Sequence, residues 1–519
     1  MKVLVTGGTG VVGQAAVGEL LKRGHTVRLL TRNAEKDSKQ WPEGVESWPA
    51  SISAANELRG AAEGCDLVLH IAGIVEETPP ELTFESVNVE GTRTMIREAE
   101  RCRVGRFVYV SSLGAEAGES PYHRSKRRAE EIVRGFAGGW IILRPGNVYG
   151  PGDEVVSRIL TMVRTLPLIP VLGTGDDKFQ PLWVEDLALA LGECVWRTDL
   201  HGRVLEIAGE DKTSLNDLVD RFSEITQRKP ARVPIPSFIA SAGVTIAGLL
   251  GAKLPVNESQ LIMLTEGNVI RAPGGNALTG IFHIKPTPLD RGLRSLADVQ
   301  PEQTPDQGVG SLQRKRYWVD IAGSHLESEE LFAHFRARFG ELAPLAMNLR
   351  AEPGTPTTLS KGNTLTMALP VRGNVQVRVE QMTANTATLV TLTGHPLCGA
   401  VRFAAEQRGD LLRFEIQVHD RPANLADWLV MRTVGGAVQA TSWESLVLAI
   451  VEASGGAAVS AVQQDSEYLD EARAERVESW IRELVLERKR AQQSTSPSPS
   501  ATRPPAQRED VLRETDAAL

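Results

Sequence analysis

The chain has 519 residues, more than one ordinary hydrophobic core holds, so two or three domains are expected. Its 57 basic and 65 acidic residues leave a net charge of −8, which argues against nucleic acid as the main partner. Cys65, Cys102, Cys194 and Cys398 are too far apart for a disulfide framework, the nine histidines show no metal-ligand spacing so no metal is expected, and a reducing cytoplasm fits. The first predicted strand, residues 2–5, begins so early that no signal peptide is expected. It runs into Thr6-Gly7-Gly8-Thr9-Gly10-Val11-Val12-Gly13 and then an amphipathic helix over 12–23. Glycines at 7, 10 and 13 permit a tight strand-to-helix turn, and the helix N-terminus aims its N–H groups at an anion, best read as a dinucleotide pyrophosphate. Strands at 26–30, 66–71, 106–111 and 140–144, with helices near 54–62, 87–102 and 122–135, continue the alternation of a parallel, doubly wound sheet.

Residues 151–298 are less regular, with helical patterns at 154–165, 185–197 and 214–227, and read as a smaller substrate lobe over the sheet's C-terminal edge. Within them residues 233–252 carry no charge, but proline, serine and glycine dilute the run, so a buried or surface-docked helix suits it better than a membrane span. Polar, proline-bearing residues 299–312 read as a linker. Beyond it Val375, Val377 and Val379 alternate with Gln376, Arg378 and Glu380, and Leu412, Phe414, Ile416 and Val418 with Arg413, Glu415, Gln417 and His419. That period of two predicts half-buried antiparallel strands. A helix over 423–454, bent at Gly435-Gly436, carries Trp443, Leu446, Val447 and Ile450 on one stripe. Residues 313–456 thus read as a separate α+β domain. Residues 457–490 read as a charged amphipathic helix docked through Val477, Ile481 and Leu484, and 491–519 as a disordered tail.

Tyr122 and Lys126 are four residues apart and share a face of their predicted helix. An adjacent ammonium is expected to lower the phenol pKa from about 10 toward the working range of a general acid/base. Ser112, at the end of the strand Phe107-Val108-Tyr109-Val110-Ser111, is placed to face the same crevice and orient a carbonyl oxygen. The competing uses are an exposed helix pair for Tyr122 and Lys126 and a turn cap for Ser112.

With Asn88-Val89-Glu90-Gly91-Thr92, Arg144-Pro145-Gly146-Asn147-Val148-Tyr149-Gly150 and Lys178-Phe179-Gln180-Pro181-Leu182-Trp183-Val184-Glu185-Asp186, these stretches resemble the extended short-chain dehydrogenase/reductase superfamily. Within its NAD-dependent epimerase/dehydratase family, the wording is similar to the atypical branch of complex I accessory subunits and their bacterial relatives. The resemblance covers residues 1–298 and implies a Rossmann fold and hydride transfer on a carbonyl/alcohol pair. It implies Tyr122 as acid/base, Lys126 on the nicotinamide ribose, Ser112 on the substrate oxygen, and Asn88 holding a helix and a proton-relay water. It also implies cofactor contacts from Gly7, Thr9, Gly10, Val11, Val12, Gly13, Ala72, Lys126 and Pro145. Relatives that take NAD place a carboxylate at the end of the second strand; here stand Thr31-Arg32-Asn33, so Arg32 favours NADP. Only Ser51 is offered to adenine. Relatives also pair as homodimers.

The order strand, helix, strands, long helix, with Thr393-Gly394-His395-Pro396-Leu397-Cys398-Gly399 and Arg421-Pro422-Ala423, is similar to START/Bet v 1-like helix-grip domains. That implies an enclosed cavity for an apolar ligand; a solid domain used for oligomer contacts is the equal alternative. His395 and His419 read as structural rather than pocket groups. The resulting expectation is a cytoplasmic NADP(H)-dependent oxidoreductase or epimerase-like enzyme with an appended ligand-binding or interaction domain. The alternative is a catalytically silent NADPH-binding scaffold or redox sensor at a membrane surface.

Overall fold

The computed structural model describes residues 1–34, 41, 44–54, 56–235, 268–271, 273–343, 348–349, 351–369 and 372–495. The apolar part of 233–252 and the tail beyond residue 495 therefore lie outside the described residues.

In chain order the first half contains β1 (Lys2–Thr6), α1 (Val11–Lys22), β2 (Thr26–Thr31), β3 (Val45–Pro49), β4 (Leu67–His70), α2 (Gly91–Arg101), β5 (Arg106–Val110), α3 (Pro121–Arg134), β6 (Gly139–Pro145), β7 (Val148–Tyr149) and α4 (Val156–Thr165). Then come β8 (Leu168–Leu172), β9 (Leu182–Trp183), α5 (Val184–Cys194), β10 (Arg203–Ile207), α6 (Leu215–Thr226), β11 (Ala231–Ile235), α7 (Ala277–Gly280) and α8 (Leu289–Asp298). Seven strands form one parallel sheet in the order β3-β2-β1-β4-β5-β6-β10. The order reverses between β1 and β4, so a crevice opens at the strands' C-terminal ends there.

Both faces of this sheet are covered, which is why its strands read as continuous apolar runs. Val3, Val5, Leu67, Leu69, Val108 and Val110 pack against Ala16, Val17 and Leu20 of α1 and Leu187 and Leu191 of α5. The alternate residues Leu4, Val68, Phe107, Tyr109 and Ile142 pack against Met95, Ile96 and Ala99 of α2 and Ala129 and Val133 of α3. In place of the helix expected at 54–62, the described residues 56–62 form turns, with Gly60 and Gly64 at positive φ.

The second half contains β12 (Gln313–Ala322), α9 (Ser328–Ala337), α10 (Phe339–Leu342), β13 (Thr364–Leu369), β14 (Gly373–Met382), β15 (Thr386–Thr391), β16 (Leu397–Arg408) and β17 (Leu411–Pro422). These are followed by α11 (Leu425–Val430), α12 (Gly436–Ala453), β18 (Ala457–Ala458), β19 (Gln463–Tyr468) and α13 (Glu471–Thr495). The antiparallel sheet runs β13-β14-β15-β16-β17-β12, with β18 and β19 both pairing β12. Residues 457–468, read above as the start of a helix, therefore extend the sheet. Tyr317, Val319, Phe403, Phe414 and Ile416 pack with Phe332 and Phe335 of α9 and Trp443, Leu446 and Ile450 of α12. On the other face Ile481 of α13 docks on Val390 and Ala400.

Two differences from the sequence reading follow from packing. The segment between the halves is no free tether: Gln300, Glu302, Pro305 and Leu312 are buried. The polar row of β14 is buried too, because the first half and α13 cover it: Arg164 of α4 pairs Glu352 at 2.7 Å and donates to Gln376 at 2.8 Å. Among the described residues no single helix is long and apolar enough to cross a membrane. The pair Leu425–Thr433 and Gly436–Ala453, bent by 64°, has the composition, but its second limb buries Trp443, Leu446, Val447 and Ile450 in the core.

Candidate active site

The glycine turn is built by close approaches. Gly7 has φ +70°, and a Cβ there would meet the Ala72 backbone at 2.7 Å. A Cβ on Gly13 would collide with the Gly7 carbonyl and the Gly8 backbone, so α1 can start this close to β1 only through glycine. Gly10 differs: a Cβ there would meet only the Gly7 oxygen, at 3.5 Å, and its other side opens to the crevice. Gly10 is also the N-cap residue of α1 and offers no side-chain cap, leaving first-turn N–H groups for an anion.

Behind the turn, Thr6 Oγ1 lies 2.7 Å from His70 Nδ1, and His70 Nε2 lies 3.1 Å from Thr92 Oγ1. Thr92 in turn donates to the Asn88 carbonyl at 2.7 Å. Burial pulls the His70 imidazole down to about 3, so it is neutral here. Asn88 sits in a π-turn, Glu85–Glu90, ahead of α2. Its Oδ1 accepts from Ile74 N at 2.9 Å, and its Nδ2 donates to Ile74 O at 3.1 Å and to Ser125 Oγ at 2.9 Å. It thereby ties the loop after β4 to α3 from behind the crevice.

Helix α3 starts at Pro121, and the Ser120 side chain caps it by accepting from His123 N at 3.2 Å. Tyr122 and Lys126 leave its first turns on one face. Lys126 is only 4% exposed, which disposes of an exposed helix pair. Its Nζ donates to Val110 O at 3.0 Å and lies 5.0 Å above the Tyr109 ring. Ser112 makes no side-chain cap to the following turn; its hydroxyl hydrogen-bonds the Tyr122 phenol instead. Burial pushes that phenol up to about 12, opposed only by the Ser112 bond, and pulls Lys126 down to about 8. The expected lowering of Tyr122 by Lys126 is therefore not found: the ammonium is engaged by Val110 and Tyr109, and desolvation decides.

A buried ion cluster fixes this arrangement. Glu130 of α3 accepts from Ser111 Oγ at 2.6 Å and takes both Nε and Nη2 of Arg144, on β6, at 2.9 Å. Nothing in the residue spacing marked Glu130 or His70, although Thr6, Thr92 and Arg144 stood in the quoted motifs.

Gly7, Thr9, Gly10, Val11, Val12, Gly13, Arg32, Ala72, Ser112, Tyr122, Lys126 and Pro145 all line one crevice of about 1190 Å³. Asn88 is the exception, standing one layer behind it. Arg32 is exposed at the end of β2, and no carboxylate pairs with it among the described residues. Ser51 is also in the lining, with its backbone N–H held by Glu57 at 2.8 Å. His395 and His419 line neither this crevice nor the cavity of the second sheet; His395 Nδ1 accepts from Leu397 N at 3.0 Å and His419 packs on Trp480.

The family described as NAD dependent epimerase/dehydratase matches residues 3–208. The chain is 30% identical over 250 residues to a protein named ceramide reductase from Caulobacter vibrioides, covering 48% of this chain and 76% of that one. The chain belongs to the NAD-dependent epimerase/dehydratase family. It is also 26% identical to an Arabidopsis thaliana protein named NADH dehydrogenase [ubiquinone] 1 alpha subcomplex subunit 9, over 51% of this chain and 68% of that one. Among solved structures, a Thermus thermophilus UDP-glucose 4-epimerase in complex with NAD is 22% identical, with a TM-score of 0.42 over 57% of this chain and 98% of that one. As a member of the family, the chain is an NAD(P)-dependent oxidoreductase or epimerase of the short-chain dehydrogenase class. The open side of Gly10 and the uncapped start of α1 fit the dinucleotide that this family takes.

Proposed function

We propose that this chain is an NADP(H)-dependent oxidoreductase that moves hydride to or from a carbonyl/alcohol substrate, with an epimerase-like variant of the same chemistry. The observation that carries the reading is the meeting of Ser112, Tyr122 and Lys126 with the glycine turn in one crevice. The nicotinamide, when bound, supplies or accepts the hydride. Tyr122, protonated at neutral pH, donates its phenolic proton to the substrate oxygen that Ser112 orients. Lys126 would hold the nicotinamide ribose, and Asn88 ties the loop after β4 to α3 behind it. The exposed Arg32, which no carboxylate pairs with among the described residues, supports a 2′-phosphate and hence NADP over NAD. A relative named as a reductase supports reduction over epimerisation.

Tyr122→Phe is expected to lower turnover about 10²–10⁴-fold while NADPH affinity, followed by nicotinamide fluorescence beside NADH, stays near wild type. Unchanged turnover would remove Tyr122 from this role. Tight NADPH binding with no turnover across a panel of carbonyl substrates would establish the silent scaffold instead, and a salt-resistant membrane pool on fractionation would place it at a membrane rather than in the cytoplasm.

The second domain is proposed to be a helix-grip domain that binds an apolar ligand, with a solid domain used for oligomer contacts as the equal alternative. A cavity of about 880 Å³ supports a ligand site, and Tyr317, Trp428 and Met431 line it together with the charged Lys315, Arg432 and Asp465. Lys315 Nζ is held by Asp420 at 3.0 Å and Gln439 at 2.6 Å.

A further inference from the structure

One wall of the crevice comes from the far end of the chain. Glu302, on the segment that joins the two halves, is buried between three cations: Arg378 of β14, Arg488 of α13 at 2.6 Å and Lys489 of α13 at 2.8 Å. Glu380 takes a second bond from Arg488 at 2.6 Å. Arg378 also donates to the Asp298 and Gln300 carbonyls at 3.2 and 3.0 Å. Arg378 and Arg488 are thus engaged on several sides and buried, whereas the Lys489 side chain is 51% exposed and lines the crevice.

This wall stands over the start of α1. Side-chain atoms of Val11, the first residue of α1, and of Pro301 lie 3.8 and 3.6 Å from where a Cβ on Gly152 would be, so the residue preceding Glu302 and the start of α1 stand on either side of Gly152. Within this group three cations face the two carboxylates Glu302 and Glu380. Three more carboxylates line this side of the crevice: Asp153 caps α4 through Val155, Val156 and Ser157, and Asp298 and Glu154 are exposed at the rim.

We propose that Lys489 reaches from the second domain to the pyrophosphate of a dinucleotide seated on the glycine turn, so that the appended domain supplies part of the cofactor site. The inference rests on the cofactor reading above. A flexible ammonium suits this task, since it swings from Glu302 to a phosphate oxygen as a point charge without the fixed fork of arginine.

Lys489→Ala is compared with wild type by calorimetric titration of ADP-ribose, which has the pyrophosphate, and adenosine, which lacks it. The ADP-ribose dissociation constant is expected to rise about fivefold, the worth of one partly exposed charge contact, with adenosine unchanged. The difference shrinks as salt is raised. Arg490→Ala, on a neighbouring side chain that pairs Glu483 and does not line the crevice, leaves ADP-ribose binding as it was. Equal ADP-ribose affinity overturns the proposal. So does an equal loss for adenosine, which reports a disturbed fold, or a loss confined to NADPH over NADH and ADP-ribose, which assigns the cation to the 2′-phosphate. Wild-type protein that binds no dinucleotide removes the cofactor reading and this proposal together; wild-type binding with an indifferent Lys489→Ala removes this proposal alone.

Discussion

His70 stands between Thr6 and Thr92 with both ring nitrogens in hydrogen-bond range, fully buried behind the glycine turn. Its imidazole is held near 3 in the fold, against about 6.5 in an unfolded chain. Between those values the unfolded chain binds the proton and the folded one does not, so stability is complete above pH 6.5 and falls as the pH drops toward 3. The full effect is about 5 kcal/mol. His70→Gln keeps partners for both threonines and removes the titration. Urea unfolding at pH 7, 5.5 and 4 should show the wild type losing more stability on acidification than the variant; parallel curves would mean that His70 does not titrate this way. Thr6 and Thr92 were legible as motif residues, but a lone histidine at the end of a buried strand gives no sign of what stands on either side. Tyr122 and Lys126 were legible as a pair, yet spacing could not show that Val110 and Tyr109 hold the ammonium.

At the scale of the element, the three glycines of the turn serve different needs. Gly13→Ala drives a Cβ into backbone of Gly7 and Gly8 that cannot yield, so α1 must shift, at a cost of about 1–3 kcal/mol. Gly10→Ala meets no such obstacle, and its stability should remain within about 0.5 kcal/mol of wild type. Its new methyl group instead enters the space reserved for the ligand, so dinucleotide affinity falls while urea unfolding stays put. Wild-type ADP-ribose affinity in Gly10→Ala would remove the close approach argued for that position. The glycine spacing announced the turn; which glycine faces protein and which faces ligand depends on what lies opposite, and spacing does not carry that. Strand β19 was missed for a related reason. Gln463-Gln464-Asp465-Ser466-Glu467-Tyr468 forms an exposed edge with no apolar row, so a period of two has nothing to mark it.

For the whole molecule, the polar row of β14 is the informative case. Alternation correctly indicated a strand, but Gln376, Arg378 and Glu380 face other charged groups rather than water. A sequence cannot distinguish solvent from a second domain's charges, since both welcome a polar side chain. Arg164, Glu352, Gln376 and Asn374 join the halves through buried bonds, with Asn374 Nδ2 donating to Glu352 at 3.1 Å. Glu352→Gln leaves the Arg164 charge buried without its counter-ion, and a loss of about 3 kcal/mol is expected. Thermal unfolding should show a lowered or split transition; an unchanged melt would mean that this pair does not hold the halves together. Glu302 and Arg488, which close the crevice wall, are separated by 186 positions in the chain. Domains fold largely as they leave the ribosome, N-terminal part first. The glycine turn and the Tyr122 helix are therefore made long before the wall that faces them, and the nascent chain offers its nucleotide crevice open to the surrounding solution until residues 488 and 489 have been translated.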